Sequence, residues 1–141
     1  MKKSSTICFW LTAFCLFGFG ILYLLSPVVF YHEEIINMTA EELAANYPAL
    51  NKVIMALTNL IGVSALTIGL FTIYIGTRAW RNKFAWWVSL LILFTFPIPV
   101  IYIAAQIGSP VVLVVIPGIL YASGLVLAVT VNRDWSQTGS N

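Results

Sequence analysis

The chain has 141 residues, of which 60% are hydrophobic and only 9% charged, with a net charge of +2. That length suits one compact unit. A water-soluble unit of this size keeps much of its surface exposed and carries about 25% charged residues, so a soluble fold is excluded and lipid is the expected solvent. The small net charge also argues against a nucleic-acid partner.

A membrane-spanning helix needs about 20 mostly apolar residues. Four stretches qualify, at about residues 7–30, 53–76, 84–105 and 110–131, and none has Asp, Glu, Lys, Arg or His in its interior. The predicted fold is an all-α integral membrane protein, a four-transmembrane-helix bundle forming a single transmembrane domain over residues 1–141. An outer loop at 31–52, a cytoplasmic loop at 77–83 and a disordered tail at 132–141 complete it. Lys2 and Lys3 before the first span resemble the basic start of a signal peptide. The apolar run is longer than a usual signal core and lacks a small-x-small cleavage site, so a retained helix is expected. Bulky Phe14 sits before Cys15 where a lipoprotein box needs a small residue. Cys8 and Cys15 are two helical turns apart, roughly 10 Å, too far for a disulfide. Both read as packing residues.

In the outer loop, Thr39-Ala40-Glu41-Glu42 has the pattern of a capping box. It predicts a short amphipathic helix from Ala40 to Asn46 on the membrane surface, ended or bent by Pro48 before the second span. Asn37-Met38-Thr39 fits the N-glycosylation acceptor pattern, a triplet common by chance. His32-Glu33-Glu34 reads as a polar exit from the first span, because adjacent helical residues diverge too much to share a metal.

The cytoplasmic loop mixes cations with tryptophans. Arg78, Trp80, Arg81, Lys83, Trp86 and Trp87 are expected at headgroup depth. The sharper reading is a specific lipid or partner site. The short loop predicts that the second and third spans are antiparallel neighbours. Gly108-Ser109-Pro110 is an expected tight turn, with Ser109 capping the fourth span and Pro110 in its first position. Lys2, Lys3, Arg78, Arg81, Lys83 and Arg133 fall on one side of a four-span chain. Lys52 and all four glutamates fall on the other. The positive-inside bias then places both termini in the cytoplasm.

The second span carries Gly62, Gly69 and Gly76 at seven-residue spacing, with Ala65 near the same face. Small residues let helix backbones approach closely in lipid, so this stripe predicts a helix–helix seam. Pro97 and Pro99 in the third span and Pro117-Gly118 in the fourth withhold backbone donors and predict kinks. Thr95, Pro99, Tyr102 and Gln106 fall on one stripe of the third span. Asn59 and Gln106 carry donors and acceptors that lipid cannot satisfy, so both are expected to face the bundle interior. Asn59, Thr95, Tyr102, Gln106 and Tyr121 are the candidate ligand-binding residues. They predict either a cavity, open to the outer face, for a small amphipathic molecule or a hydrogen-bonded seam that fixes helix register.

No phosphate loop, nucleophile elbow or metal-helix motif occurs, and no catalytic residue, metal or cofactor is expected. The spans hold no ionisable residue of the kind that coupled transporters use. The expected role is non-enzymatic: an accessory subunit, or a binder of a small amphipathic ligand. An enzyme acting on a lipid or quinone is one alternative, and a passive channel or transporter another. The expected partners are the lipid bilayer and either a membrane protein or a second copy of the chain.

Gly69, the basic loop Arg78 to Lys83, and the Phe84-Ala85-Trp86-Trp87 entry into the third span loosely resemble small four-helix bacterial membrane proteins of the DoxX-like type. The likeness covers about half of the chain. Many such families have no assigned activity, and some members are described as accessory subunits of membrane redox systems. The resemblance implies a bacterial inner membrane and transfers no functional residue.

Overall fold

The computed structural model describes residues 2–25, 33, 36–106 and 112–131. Among these, regular structure is helical throughout, with no strand. Helix α1 is Lys2–Leu25, α2 is Ala40–Asn46 and α3 is Pro48–Phe71. A π-helical turn follows at Thr72–Gly76. The third apolar stretch is divided into α4, Lys83–Thr95, and α5, Pro97–Gln106. Helix α6 is Val112–Val131. Three helices are long and apolar enough to cross a membrane: Lys3–Leu25, Pro48–Gly76 and Lys83–Gln106. Val115–Thr130 is a shorter apolar helix.

The first two apolar helices begin earlier than their apolar runs suggest. Helix α1 begins by Lys2 rather than near residue 7, and the Ser5 hydroxyl in its first turns donates to the Gly124 carbonyl at 2.9 Å. Helix α3 begins at Pro48 rather than near residue 53. Its first position costs nothing for a residue without an N–H, so Pro48 starts this helix. Residues 26–32, 34–35, 107–111 and 132–141 lie outside the described residues, and with them the expectations for His32 and Glu34, for a Gly108-Ser109-Pro110 turn and for the tail.

Helix α1 is the centre of the arrangement. It packs along α3 and the π turn on one side and along α6 on the other. Its inward stripe is Ser5, Phe9, Thr12, Ala13, Leu16 and Gly20. The facing stripe runs Thr58, Gly62, Ala65, Gly69, Thr72, Gly76 and Ala79, alternating steps of four and three residues. This is the heptad period that keeps one seam turned to a partner helix. The expected seam is present, and its partner is α1. A β-carbon on Gly69 would lie 2.8 Å from the Phe17 ring, and one on Gly76 2.7 Å from the Phe9 ring. At the other end Gly20 and Gly62 meet backbone to backbone: a β-carbon on Gly20 would lie 2.9 Å from the Gly62 carbonyl oxygen.

The second and third spans are not neighbours along their length, contrary to the expectation from their short loop. Helix α4 meets the second span through the π turn and then lies against α6, as does α5. Helix α1, rather than α4, lies along α3. Asn82 ends the loop by accepting from the amides of Phe84 at 2.8 Å and Ala85 at 3.4 Å, which starts α4. The third span breaks at Phe96, directly before Pro97. Its second half sits over Gly118, where a β-carbon would meet Ile101 at 3.3 Å and Pro97 at 3.8 Å. The two proline-marked segments thus pack on each other.

The outer surface is the apolar one. Phe14 is 76% exposed and Phe84 74% exposed, while the buried positions are mostly Gly, Ala, Ser and Thr. An aqueous protein rarely shows apolar surface on this scale. The architecture is compatible with a membrane protein.

The surface helix forms where the capping box placed it. The Thr39 amide donates to Glu42 Oε2 at 2.9 Å, and the Glu42 amide donates to Thr39 Oγ1 at 3.2 Å. Asn37 turns the chain at φ 51°, a left-handed conformation that asparagine tolerates. Glu33 Oε1 accepts from the Ala40 amide at 3.0 Å.

Two outcomes follow from this packing. Gly20→Ala should cost about 1–3 kcal/mol, because the new methyl meets backbone. Gly18→Ala, where nothing lies within 4 Å, should leave unfolding in detergent unchanged. The Thr39 amide and hydroxyl hold the Glu42 carboxyl below its ordinary 4.5. A depressed carboxyl stabilises the fold above its unfolded value and loses that contribution as pH falls through the folded value. Amide-exchange protection in the first turn of α2 should therefore weaken below about pH 4.5, and Glu42→Gln, which has no carboxyl to titrate, should remove that pH dependence.

Candidate functional site

The five residues expected to line a cavity do not converge. Tyr102 is 63% exposed, and its hydroxyl accepts from Gln106 Nε2 at 2.8 Å on the outer surface of α5. Gln106 therefore faces outward, contrary to expectation, and meets its polar need one turn back on its own helix. Thr95 is also exposed and donates to the Leu91 carbonyl at 2.9 Å. Asn59 is half-buried, while its neighbour Thr58 takes the seam position. Tyr121 is buried, far from this group, with its ring edge-on to Phe9 at 5.2 Å.

The basic loop borders a groove. A groove of about 730 Å³ opens between the start of α1 and the end of the second span. Thr6 and Trp10 form one wall, and Leu70, Ile73, Tyr74 and Thr77 the other. Arg78, Trp80 and Arg81 also line it. Helix α1 supplies its residues at i and i+4, so Thr6 and Trp10 share a face. Lys3 lies one turn earlier, exposed.

Both arginines are braced on rings. The Arg78 guanidinium carbon lies 4.1 Å from the Tyr74 ring centroid, and Arg81 lies 4.3 Å from that of Trp80. Such stacking leaves the in-plane N–H donors directed outward. Arg78 Nη1 also donates to the Tyr74 carbonyl, and the Thr77 hydroxyl to the Ile73 carbonyl. These bonds satisfy carbonyls that the end of a helix leaves free. The π turn and the turns after it thus hold Arg78 and Arg81 against the groove. The described glutamates, Glu33, Glu41 and Glu42, all belong to the opposite end of the helices, leaving the basic charge here uncompensated by them.

The six headgroup candidates divide. Arg78, Trp80 and Arg81 line the groove. Lys83 and Trp87 are exposed on α4. Trp86 turns inward: it is half-buried, and its Nε1 donates to the Leu125 carbonyl at 3.2 Å, joining α4 to α6. It meets Trp87 edge-on at 5.0 Å. Thr6, Trp10 and Tyr74 escaped sequence reasoning. Trp10 alone left a signal, since it follows Lys3 by two helical turns. No group of His, Cys, Asp and Glu suited to a metal occurs among the described residues.

No family model, curated protein or solved structure matches the chain.

Proposed function

We propose that the chain is a four-span protein of a bacterial inner membrane, with both termini in the cytoplasm, and that it binds a small anionic amphiphile without transforming it. The groove carries this reading. Two ring-braced guanidiniums line it, and Leu70, Ile73 and Trp10 offer apolar walls along it. An acidic phospholipid has the matching form: a phosphate for the guanidiniums and an acyl chain for the walls. The clustering of Lys3, Arg78, Arg81 and Lys83 at one end of the helices supports placing that end on the cytoplasmic side. The DoxX-like resemblance points to the same membrane.

The ligand reading departs from the outer cavity expected from Asn59 and Gln106 and moves the site to the opposite end of the bundle. It keeps the amphipathic ligand class. An accessory-subunit role is compatible with it, since a lipid held in a surface groove adds to the surface a partner meets.

Native mass spectrometry of protein released gently from nanodiscs tests the ligand. With mixed acidic and zwitterionic lipid, the wild type should retain the acidic species. The Arg78→Gln/Arg81→Gln variant should lose it at least tenfold more readily, since two charge-assisted contacts disappear. Equal retention by both proteins overturns the site. Topology has its own test. In intact cells, with Cys8 and Cys15 changed to serine, a membrane-impermeant thiol reagent should label Glu41→Cys and spare Lys83→Cys. The reverse pattern inverts the orientation.

A further inference from the structure

The charges of the groove specify more than an acidic ligand. Two cations line it, Arg78 and Arg81, and no carboxylate does. The nearest charges along the chain have the same sign: Lys3 on α1 and Lys83 on α4, both exposed. The protein therefore offers two positive charges to one ligand and cancels neither.

The two arginines stand close together. The Arg81 amide donates to the Arg78 carbonyl at 2.9 Å, so one tight turn separates them. Such a turn brings α-carbons three residues apart to within about 7 Å. Each guanidinium has its own support: Arg78 rests on Tyr74 at 4.1 Å and Arg81 on Trp80 at 4.3 Å, and both rings line the same groove. Two like charges held on neighbouring positions repel each other, and a ligand that neutralises both relieves that repulsion.

Phosphate chemistry offers two cases. A phosphate diester spreads one negative charge over two free oxygens. That suits the fork of one guanidinium and leaves the second uncompensated. A phosphate monoester carries up to two charges over three free oxygens, enough for both arginines.

We propose that the groove selects a lipid whose headgroup is a terminal phosphate monoester. This rests on the groove being the ligand site. Arg78 and Arg81 donate to different oxygens of one phosphate, and the acyl part follows Leu70, Ile73 and Trp10. A free monoester keeps its second proton up to about pH 6. Adjacent guanidiniums favour the doubly charged form, so the bound phosphate releases that proton to solvent at lower pH. The charged and titratable groups lining the groove are Arg78, Arg81 and the Tyr74 phenol, with Lys3 and Lys83 nearby. No carboxylate or histidine among the described residues lines the groove to oppose the two arginines.

Native mass spectrometry of the full chain tests the headgroup. The protein is released from phosphatidylcholine nanodiscs, each holding one acidic lipid at the same mole fraction. The wild type should retain phosphatidic acid at least about tenfold over phosphatidylglycerol, the effect of one added charge-assisted contact. Arg81 is exposed, so Arg81→Gln should keep the wild-type unfolding temperature. It should bring phosphatidic acid down to the level of phosphatidylglycerol, with both still above phosphatidylcholine. Phosphorus NMR should place the second ionisation of phosphatidic acid at lower pH with the wild type than with Arg81→Gln. Equal retention of phosphatidic acid and phosphatidylglycerol, both above phosphatidylcholine, overturns the headgroup inference and leaves the groove as an acidic-lipid site. Cardiolipin retained above phosphatidic acid also overturns it, since two diester phosphates then match the charges. A wild type with no preference for any acidic lipid removes the groove reading and this inference together.

Discussion

Everything else in this fold depends on how closely α1 approaches its two neighbours. Among apolar surroundings, helices gain little from hiding apolar surface from each other, so contact distance and fit decide association. The second span meets α1 through glycine, alanine and threonine, and α1 answers with Phe9, Phe17 and Gly20. Phe9 is the deepest of these. Its ring fills space left by Gly76 and Gly124 and stands on Tyr121, so one side chain locks three spans at one level. The same contact holds the π turn in place, and the π turn in turn positions Arg78 for the groove and Thr72 for the interior.

The side of α1 facing α6 works differently. Ser5 donates to the Gly124 carbonyl at 2.9 Å, and the Thr12 hydroxyl lies 3.5 Å from the Pro117 carbonyl while bonding its own helix at Cys8. Trp86 adds a third link between side chain and backbone, from α4 to the Leu125 carbonyl. Backbone carbonyls are good acceptors here because proline and glycine in α6 thin the cover around them. Polar links and glycine contacts thus share the work of fixing register, on opposite faces of one helix.

The proposed ligand groove uses a helix end rather than a helix middle. Where the second span unwinds through its π turn, the carbonyls of Ile73 and Tyr74 are satisfied by Thr77 and Arg78 side chains. Arg78, which helps close the helix, is therefore also the residue offered to the proposed ligand. This economy explains how an amphipathic site arises beside spans whose interiors hold no ionisable residue.

Several features were legible in the sequence by themselves. Apolar runs announce the long helices, because a stretch with no polar break gives one uninterrupted apolar segment. Thr39 and Glu42 announce the surface helix because a capping box is complete within four residues. Gly62, Gly69 and Gly76 announce a seam because their spacing matches the helical repeat. Each of these is a local property. Which helix fills the seam, and which end of the bundle carries a groove, are not local. Gln106 was expected inward because its amide needs partners, but Tyr102, four residues back, supplies one on the outer face. Thr6 and Trp10 join Arg78 and Arg81 only because α1 packs between α3 with its π turn and α6. That insertion is a choice among packings of similar surfaces. It depends on the fit of Phe9 and Phe17 against particular glycines, so only the tertiary structure decided it.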